Sequence, residues 1–189
     1  MDDEDLLQRA RRGDREAFAE VVARYQDRLY TMALRLLGNS ADAADAVQET
    51  FIRAWLHIHE LQGPGLRAWL FRVTVNCSRD LQRRAIRRPH DPLEDERGNI
   101  VELPDAAQDP ERTVLNRQRL RDVLAVLESL PMDLRTVLVL REINELSYEE
   151  IGDVLQIPVG TAKSRVNRAR LQFSEALQRS GVLAEEGTA

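Results

Sequence analysis

Residues 147–170 read SYEEIGDVLQIPVGTAKSRVNRAR, two helical patterns separated by a short break. Ser147 is followed three residues later by Glu150, the reciprocal arrangement in which a hydroxyl and a carboxylate satisfy the orphan amides of a helix start. Ile151, Val154 and Leu155 then recur three and four apart on one face. Gln156, Ile157 and Pro158 interrupt them, and proline suits the first turn of a new helix. A turn of about three residues is the length that joins the helices of a helix-turn-helix.

In the second helix, at about 100° per residue, Ala162, Val166, Ala169 and Phe173 gather on one side. Thr161, Ser164, Arg165 and Arg168 gather on the other. One side is built to pack, and the other to read. Gly160, Thr161 and Ser164 are small enough to approach a major-groove floor, while Arg165 and Arg168 can reach guanine edges or phosphates. Lys163 and Arg170 complete a segment, Pro158 to Gln172, that contains no acid. A solvated basic helix would carry the same charges. The capping box, the turn proline and the small-residue face favour a duplex DNA reader.

Net charge is -5 over 189 residues, which suits a DNA-binding protein only once it is divided along the chain. Residues 1–88 hold 15 Lys+Arg against 13 Asp+Glu, residues 113–189 hold 10 against 11, and residues 89–112 hold 2 against 8. That middle stretch, PHDPLEDERGNIVELPDAAQDPER, has four prolines and no helical periodicity, the composition of an extended linker. The expected fold is all-α: two small helical domains, 1–88 and 113–180, joined by an acidic linker over 89–112, with a disordered tail over 181–189. No apolar run approaches the roughly 18 to 20 residues needed to span a bilayer. The acidic start MDDEDLLQRARRGD is unlike a signal peptide, so a cytoplasmic location is expected. One cysteine, Cys77, and three scattered histidines offer no metal-ligand spacing, and no cofactor is implied. No nucleophile triad, phosphate loop or zinc-protease motif is present, so no catalytic residue is expected. His57 and His59 point apart on a helix and read as surface residues.

In the first domain, Val21, Val22, Tyr25, Leu29, Met32, Leu36 and Leu37 mark a core-facing helix. Gly38, Asn39 and Ser40 end it and cap the next. In that next helix Val47, Phe51, Ala54, Trp55 and Ile58 form the expected core side, with Asp45, Glu49, Ile52 and Leu56 opposite. Carboxylates four apart repel, and branched apolar side chains beside them gain nothing in water. A partner with basic and apolar surface accounts for both, as would a plain solvated face with stray hydrophobes. After the loop LQGPGL, residues 61–66, Leu66, Leu70, Val73, Cys77 and Leu81 form a core stripe. Trp69, Arg72, Asn76, Arg79 and Arg83 form a second. An aromatic among arginines suits unpaired nucleic acid, with a base on the ring and guanidinium groups on the backbone. Solvated arginines beside a core-boundary tryptophan would give the same spacing.

Three segments resemble the extracytoplasmic-function class of the sigma-70 family of bacterial RNA polymerase initiation factors, in the family's order and over nearly the whole chain. DAADAVQETFIRAW, 42–55, resembles its polymerase-binding helix, and RAWLFRVTVNCSRDLQRR, 67–84, its melting and −10-recognition helix. LPMDLRTVLVLREINELSYEEIGDVLQIPVGTAKSRVNRAR, 130–170, resembles its −35-recognition domain. The resemblance implies that Asp45, Gln48, Glu49, Ile52 and Leu56 dock on the β′ clamp of core RNA polymerase, with the β flap as a second contact. It implies that Leu61, Gln62, Gly63, Trp69, Arg72, Asn76, Arg79 and Arg83 serve the −10 element as single-stranded DNA. Thr161, Lys163, Ser164, Arg165 and Arg168 would read the −35 duplex. The linker would thread toward the RNA exit path, and an anti-sigma factor would regulate the chain from outside, with no membrane contact of its own. Gln156 departs from the glycine the family usually carries in the turn. The rival reading is a stand-alone helix-turn-helix regulator that binds an operator as a dimer. A nucleic-acid enzyme would need more than Asp42, Asp45 and Glu49.

Overall fold

The computed structural model describes residues 2–61, 65–87 and 110–182. Every regular element in them is helical: α1 Asp3–Arg11, α2 Arg15–Leu37, α3 Ser40–His57, α4 Leu66–Arg87, α5 Pro110–Ser129, α6 Met132–Leu138, α7 Tyr148–Leu155 and α8 Val159–Ser180. A 3-10 turn, Ile58–Glu60, follows α3, and α6 runs into a π-helical turn, Val139–Ile143.

Short polar side chains set the boundaries. Asp2 accepts from the Asp5 amide at 2.8 Å, and Asp14 accepts from the Glu16 and Ala17 amides. The Ala17 amide, with Arg9 beside it, holds the Asp14 carboxyl below the usual range. Gly38 takes a left-handed φ of 79° to end α2, and the Asn39 side chain accepts from the Asp42 amide to start α3. Helix α1, which the sequence pattern did not mark, buries Leu6, Leu7 and Ala10. It is pinned to α2 by the Tyr25 hydroxyl, which donates to Asp3, and by the Arg24–Asp3 pair at 2.9 Å.

Helices α2, α3 and α4 form the first bundle, with α1 along α2. Leu29, Met32, Leu36, Leu70 and Phe71 are completely buried in it. The expected core sides of α3 and α4 are met in part: Val47, Ala54 and Ile58, and Leu66, Leu70 and Cys77, are buried, and each side is wider than expected. Helix α3 buries Ala43, Ala46 and Thr50 along with Val47 and Ala54, while Trp55 is 38% exposed, edge-on to Phe18 at 4.9 Å. Small residues let the helix axes approach, which the larger side chains would prevent. Thr50 and Thr74 meet at that contact, and their hydroxyls donate to the Ala46 and Leu70 carbonyls at 2.7 and 2.9 Å. Helix α4 buries Phe71, Thr74, Val75 and Ser78, whereas Val73 and Leu81 are half-buried.

In the second domain α6 and α7 pack on α8, and α5 lies along α8. Helix α5 begins at Pro110, inside the span expected to be linker, with proline in the first helical position that tolerates its missing N–H. The two domains touch: α4 packs on α7, and α2 on α5 and the π turn, so their buried residues form one continuous cluster. This second neighbour explains why α4 buries more than one stripe. Residues 88–109 and 183–189, most of the spans expected as linker (89–112) and tail (181–189), lie outside the described residues. Among those described, no helix is long and apolar enough to cross a membrane.

Candidate nucleic-acid and polymerase interfaces

The helix-turn-helix has the geometry its caps imply. The Ser147 hydroxyl accepts from the Glu150 amide at 3.1 Å, and the Ser147 amide donates to the Glu150 carboxylate at 2.7 Å. Helix α7 stops at Gln156, which is left-handed at φ 55° and ψ 48°. The Ile157 amide donates back to Gly152 at 2.9 Å, and a Cβ on Gly152 would stand 2.9 Å from the Ile157 carbonyl. Gly152 is therefore needed for the turn to close against α7, a requirement of close approach that no local sequence signal gave.

On α8, Ala162, Val166 and Ala169 are fully buried. Lys163, Ser164 and Arg168 are exposed, and Thr161 and Arg165 half-buried. No side chain caps the start of α8, where Pro158 precedes it and the small residues Gly160 and Thr161 follow. Tyr148 organises the basic side chains nearby: its ring lies 5.6 Å from the Lys163 ammonium and 4.8 Å from the Arg141 guanidinium. Arg170 pairs with Glu142 at 2.6 Å. These contacts engage basic side chains at the flanks of the face that carries Arg165 and Arg168.

Helix α4 carries the second set. Asn76 and Arg83 are exposed, and Trp69 is half-buried against the core. Arg83 pairs with Asp80 within its own helix at 2.5 Å. Arg72 donates to the Asp153 carbonyl at 2.7 Å, and Arg79 pairs with Asp133 at 2.9 Å, so both are engaged by the helix-turn-helix domain. Arg67, which the periodicity did not single out, donates to the Asn144 carbonyl and pairs with Glu150, each at 3.1 Å. At the loop, the Leu61 side chain is buried, its carbonyl accepts from Arg11 and its amide donates to the Ile58 carbonyl, so the expected DNA contact at Leu61 finds its side chain and backbone already engaged. Gln62 and Gly63 lie outside the described residues.

The third face is the outer side of α3. Asp45 and Gln48 are exposed, Ile52 is 47% and Leu56 57% exposed. The repulsion expected between Asp45 and Glu49 is relieved by Arg53, which pairs with Glu49 at 2.6 Å. Behind this face, burial raises the Cys77 thiol above its usual range, which keeps it protonated and unreactive.

Comparison with known proteins places the chain in one family. Residues 21–88 match the family model for sigma-70 region 2, and residues 120–173 that for sigma-70 region 4. The RNA polymerase sigma-H factor of Pseudomonas aeruginosa is 36% identical over 181 residues, 93% of this chain and 94% of that protein. The ECF RNA polymerase sigma-E factor of Escherichia coli is 34% identical over 183 residues, 94% and 95% of the two chains. Among solved structures, CnrH in complex with the cytosolic domain of CnrY superposes with a TM-score of 0.69 at 30% identity, covering 94% of this chain and 97% of that one. RpoE of Bartonella quintana, in complex with the anti-sigma factor NepR, does so with a TM-score of 0.64 at 27% identity, covering 85% and 96%.

Proposed function

The chain belongs to the extracytoplasmic-function class of sigma-70 factors, initiation subunits of RNA polymerase, and from that premise we propose that its three faces divide the work of starting transcription. The outer face of α3, Asp45, Gln48, Glu49, Ile52 and Leu56, docks on the β′ clamp, and the second domain meets the β flap. Trp69, Arg72, Asn76, Arg79 and Arg83, with the loop at Leu61, Gln62 and Gly63, take the −10 strand once it is unpaired. Thr161, Lys163, Ser164, Arg165 and Arg168 read the −35 duplex.

The mechanism requires no catalytic group in this chain. Stacking on an aromatic contributes about 1 to 3 kcal/mol per base, comparable to the stacking lost per opened step, so binding unpaired DNA shifts the duplex toward opening. The polymerase supplies the bond-forming chemistry. The anti-sigma factor bound to Bartonella RpoE supports an anti-sigma partner here too, one that covers the polymerase and DNA faces.

The observation that carries this reading over a stand-alone operator-binding dimer is the α3 face. In a two-fold dimer through this face Asp45 and Glu49 would meet their own copies and repel, whereas a basic and apolar partner surface suits them and the exposed Ile52 and Leu56. Glu49→Ala is expected to weaken binding to core polymerase by about 1 kcal/mol, roughly fivefold, without changing which promoters are used. Arg165→Ala is expected to leave core binding intact and to relax preference at one upstream position by about 1 to 3 kcal/mol. A shift in promoter preference caused by Glu49→Ala, read from transcripts of a promoter library, would contradict the assignment of the α3 face.

A further inference from the structure

Helix α6 widens into the π turn at Val139–Ile143, where the Asn144 amide donates back to the Val139 carbonyl at 3.1 Å. Such turns are rare and collect at functional sites. Beside this one lies a cavity of about 440 Å³ bounded by α2, α5, the π turn and α8, with Leu34, Leu124, Val139 and Phe173 in its apolar wall. That volume is within the roughly 300 to 1,000 Å³ of small-molecule sites. Water gains little between such walls, whereas a hydrocarbon supplies the dispersion contacts they lack.

The polar part of the cavity is charged and unevenly satisfied. Glu142 lines it, but its carboxylate is already paired with Arg170 at 2.6 Å. Arg35 also lines it, half-buried, and among the described residues it has no hydrogen-bond or ion-pair partner. Glu128 acts on it only from beyond ion-pair distance, and burial lowers the Arg35 pKa in spite of that acid. A guanidinium so placed favours an anion. With Glu128 and Glu142 near, a head with one negative charge is balanced and a doubly charged one is repelled. Ile143, 40% exposed and lining the same cavity, adds apolar surface that water does not reward. We propose that this cavity is a binding site for a single-chain fatty carboxylate, its hydrocarbon among Leu34, Leu124, Val139 and Phe173 and its head on the Arg35 guanidinium. None of these residues is among those assigned above to polymerase or DNA, and the bound chain touches both domains.

The test is calorimetric titration of the full chain with sodium laurate below its micelle concentration. Decanoate shortens the hydrocarbon, dodecyl phosphate adds charge to the head, and dodecyltrimethylammonium reverses it. The expected result is saturable binding of laurate at a single site, about tenfold weaker binding of decanoate, and weaker binding than laurate for the other two. Arg35→Gln is expected to weaken laurate binding about tenfold without weakening that of dodecyltrimethylammonium. Arg12→Gln, the same change of charge at an exposed arginine outside the cavity, is expected to leave laurate binding as it is. Leu124→Trp fills the cavity and is expected to abolish binding while the helical circular-dichroism spectrum is kept. No saturable binding of laurate by the wild type, tighter binding of dodecyl phosphate, or equal binding of the cationic amphiphile overturns the proposal. So does an equal effect of Arg35→Gln and Arg12→Gln, or undiminished binding by folded Leu124→Trp. If Leu124→Trp does not fold, the comparison of Arg35→Gln with Arg12→Gln decides.

Discussion

Gln156 holds a left-handed backbone at φ 55°, a conformation that costs a residue with a Cβ about 1 kcal/mol or more. The strain is tolerated because the turn makes two separate demands. Close approach of Ile157 is met by Gly152, where any side chain would collide with a carbonyl, and the left-handed position, being exposed, can accept glutamine. Gln156→Gly is therefore expected to raise the thermal midpoint by about 2 to 4 °C in a chain of this size. Gly152→Ala, which forces the turn off α7, is expected to cost about 1 to 3 kcal/mol. Thermal denaturation of both variants checks the pair, and a midpoint that falls with Gln156→Gly would show that the glutamine side chain stabilises the turn. Gln156 was legible only through the resemblance, as a departure from the glycine the family usually carries, because nothing local marks a glutamine as left-handed. The need for glycine at 152 was not, because it depends on a carbonyl five residues away in the chain.

At the scale of elements, the helices whose ends carry local chemistry were legible: Ser147 with Glu150 for α7, and Gly38 with Asn39 between α2 and α3. Local signals also separated the packing and exposed sides of α8. What escaped was set by neighbours. Helix α1 is held by Asp3 to Arg24 and Tyr25 of another helix, and α4 buries Thr74 against Thr50 of α3 while another side of it packs on α7. Arg135 is the sharpest case. An arginine in α6 reads as surface, yet it is 8% exposed and donates to the Leu36 carbonyl at 2.7 Å, to the Leu130 carbonyl at 3.1 Å and to the Glu128 carbonyl. One guanidinium thus serves the carboxy-terminal ends of α2 and α5, where helix dipoles favour a cation, while burial lowers its pKa. Arg135→Ala leaves those carbonyls buried without a donor and is expected to destabilise the chain by about 2 to 4 kcal/mol. A change below about 0.5 kcal/mol in urea denaturation would mean that water replaces the side chain without penalty.

At the scale of the whole molecule, acidity and function are segregated. The net negative charge comes from the middle of the chain, the outer face of α8 is basic, and the α3 face combines carboxylates with exposed Ile52 and Leu56. The two domains were legible as separate units, but their contact was not, because it joins residues as far apart as Arg67 and Glu150. The reading that follows is of a subunit with two proposed DNA contacts and a proposed polymerase contact, carried by α8, α4 and α3. The most direct measurement is run-off transcription by purified core RNA polymerase across a genomic promoter library, with and without this chain. The expected result is a set of transcripts that appear only with the chain and start at promoters sharing two separated sequence elements, together with stable binding to core enzyme. No chain-dependent transcript from any promoter, with no binding to core enzyme, would contradict the central claim.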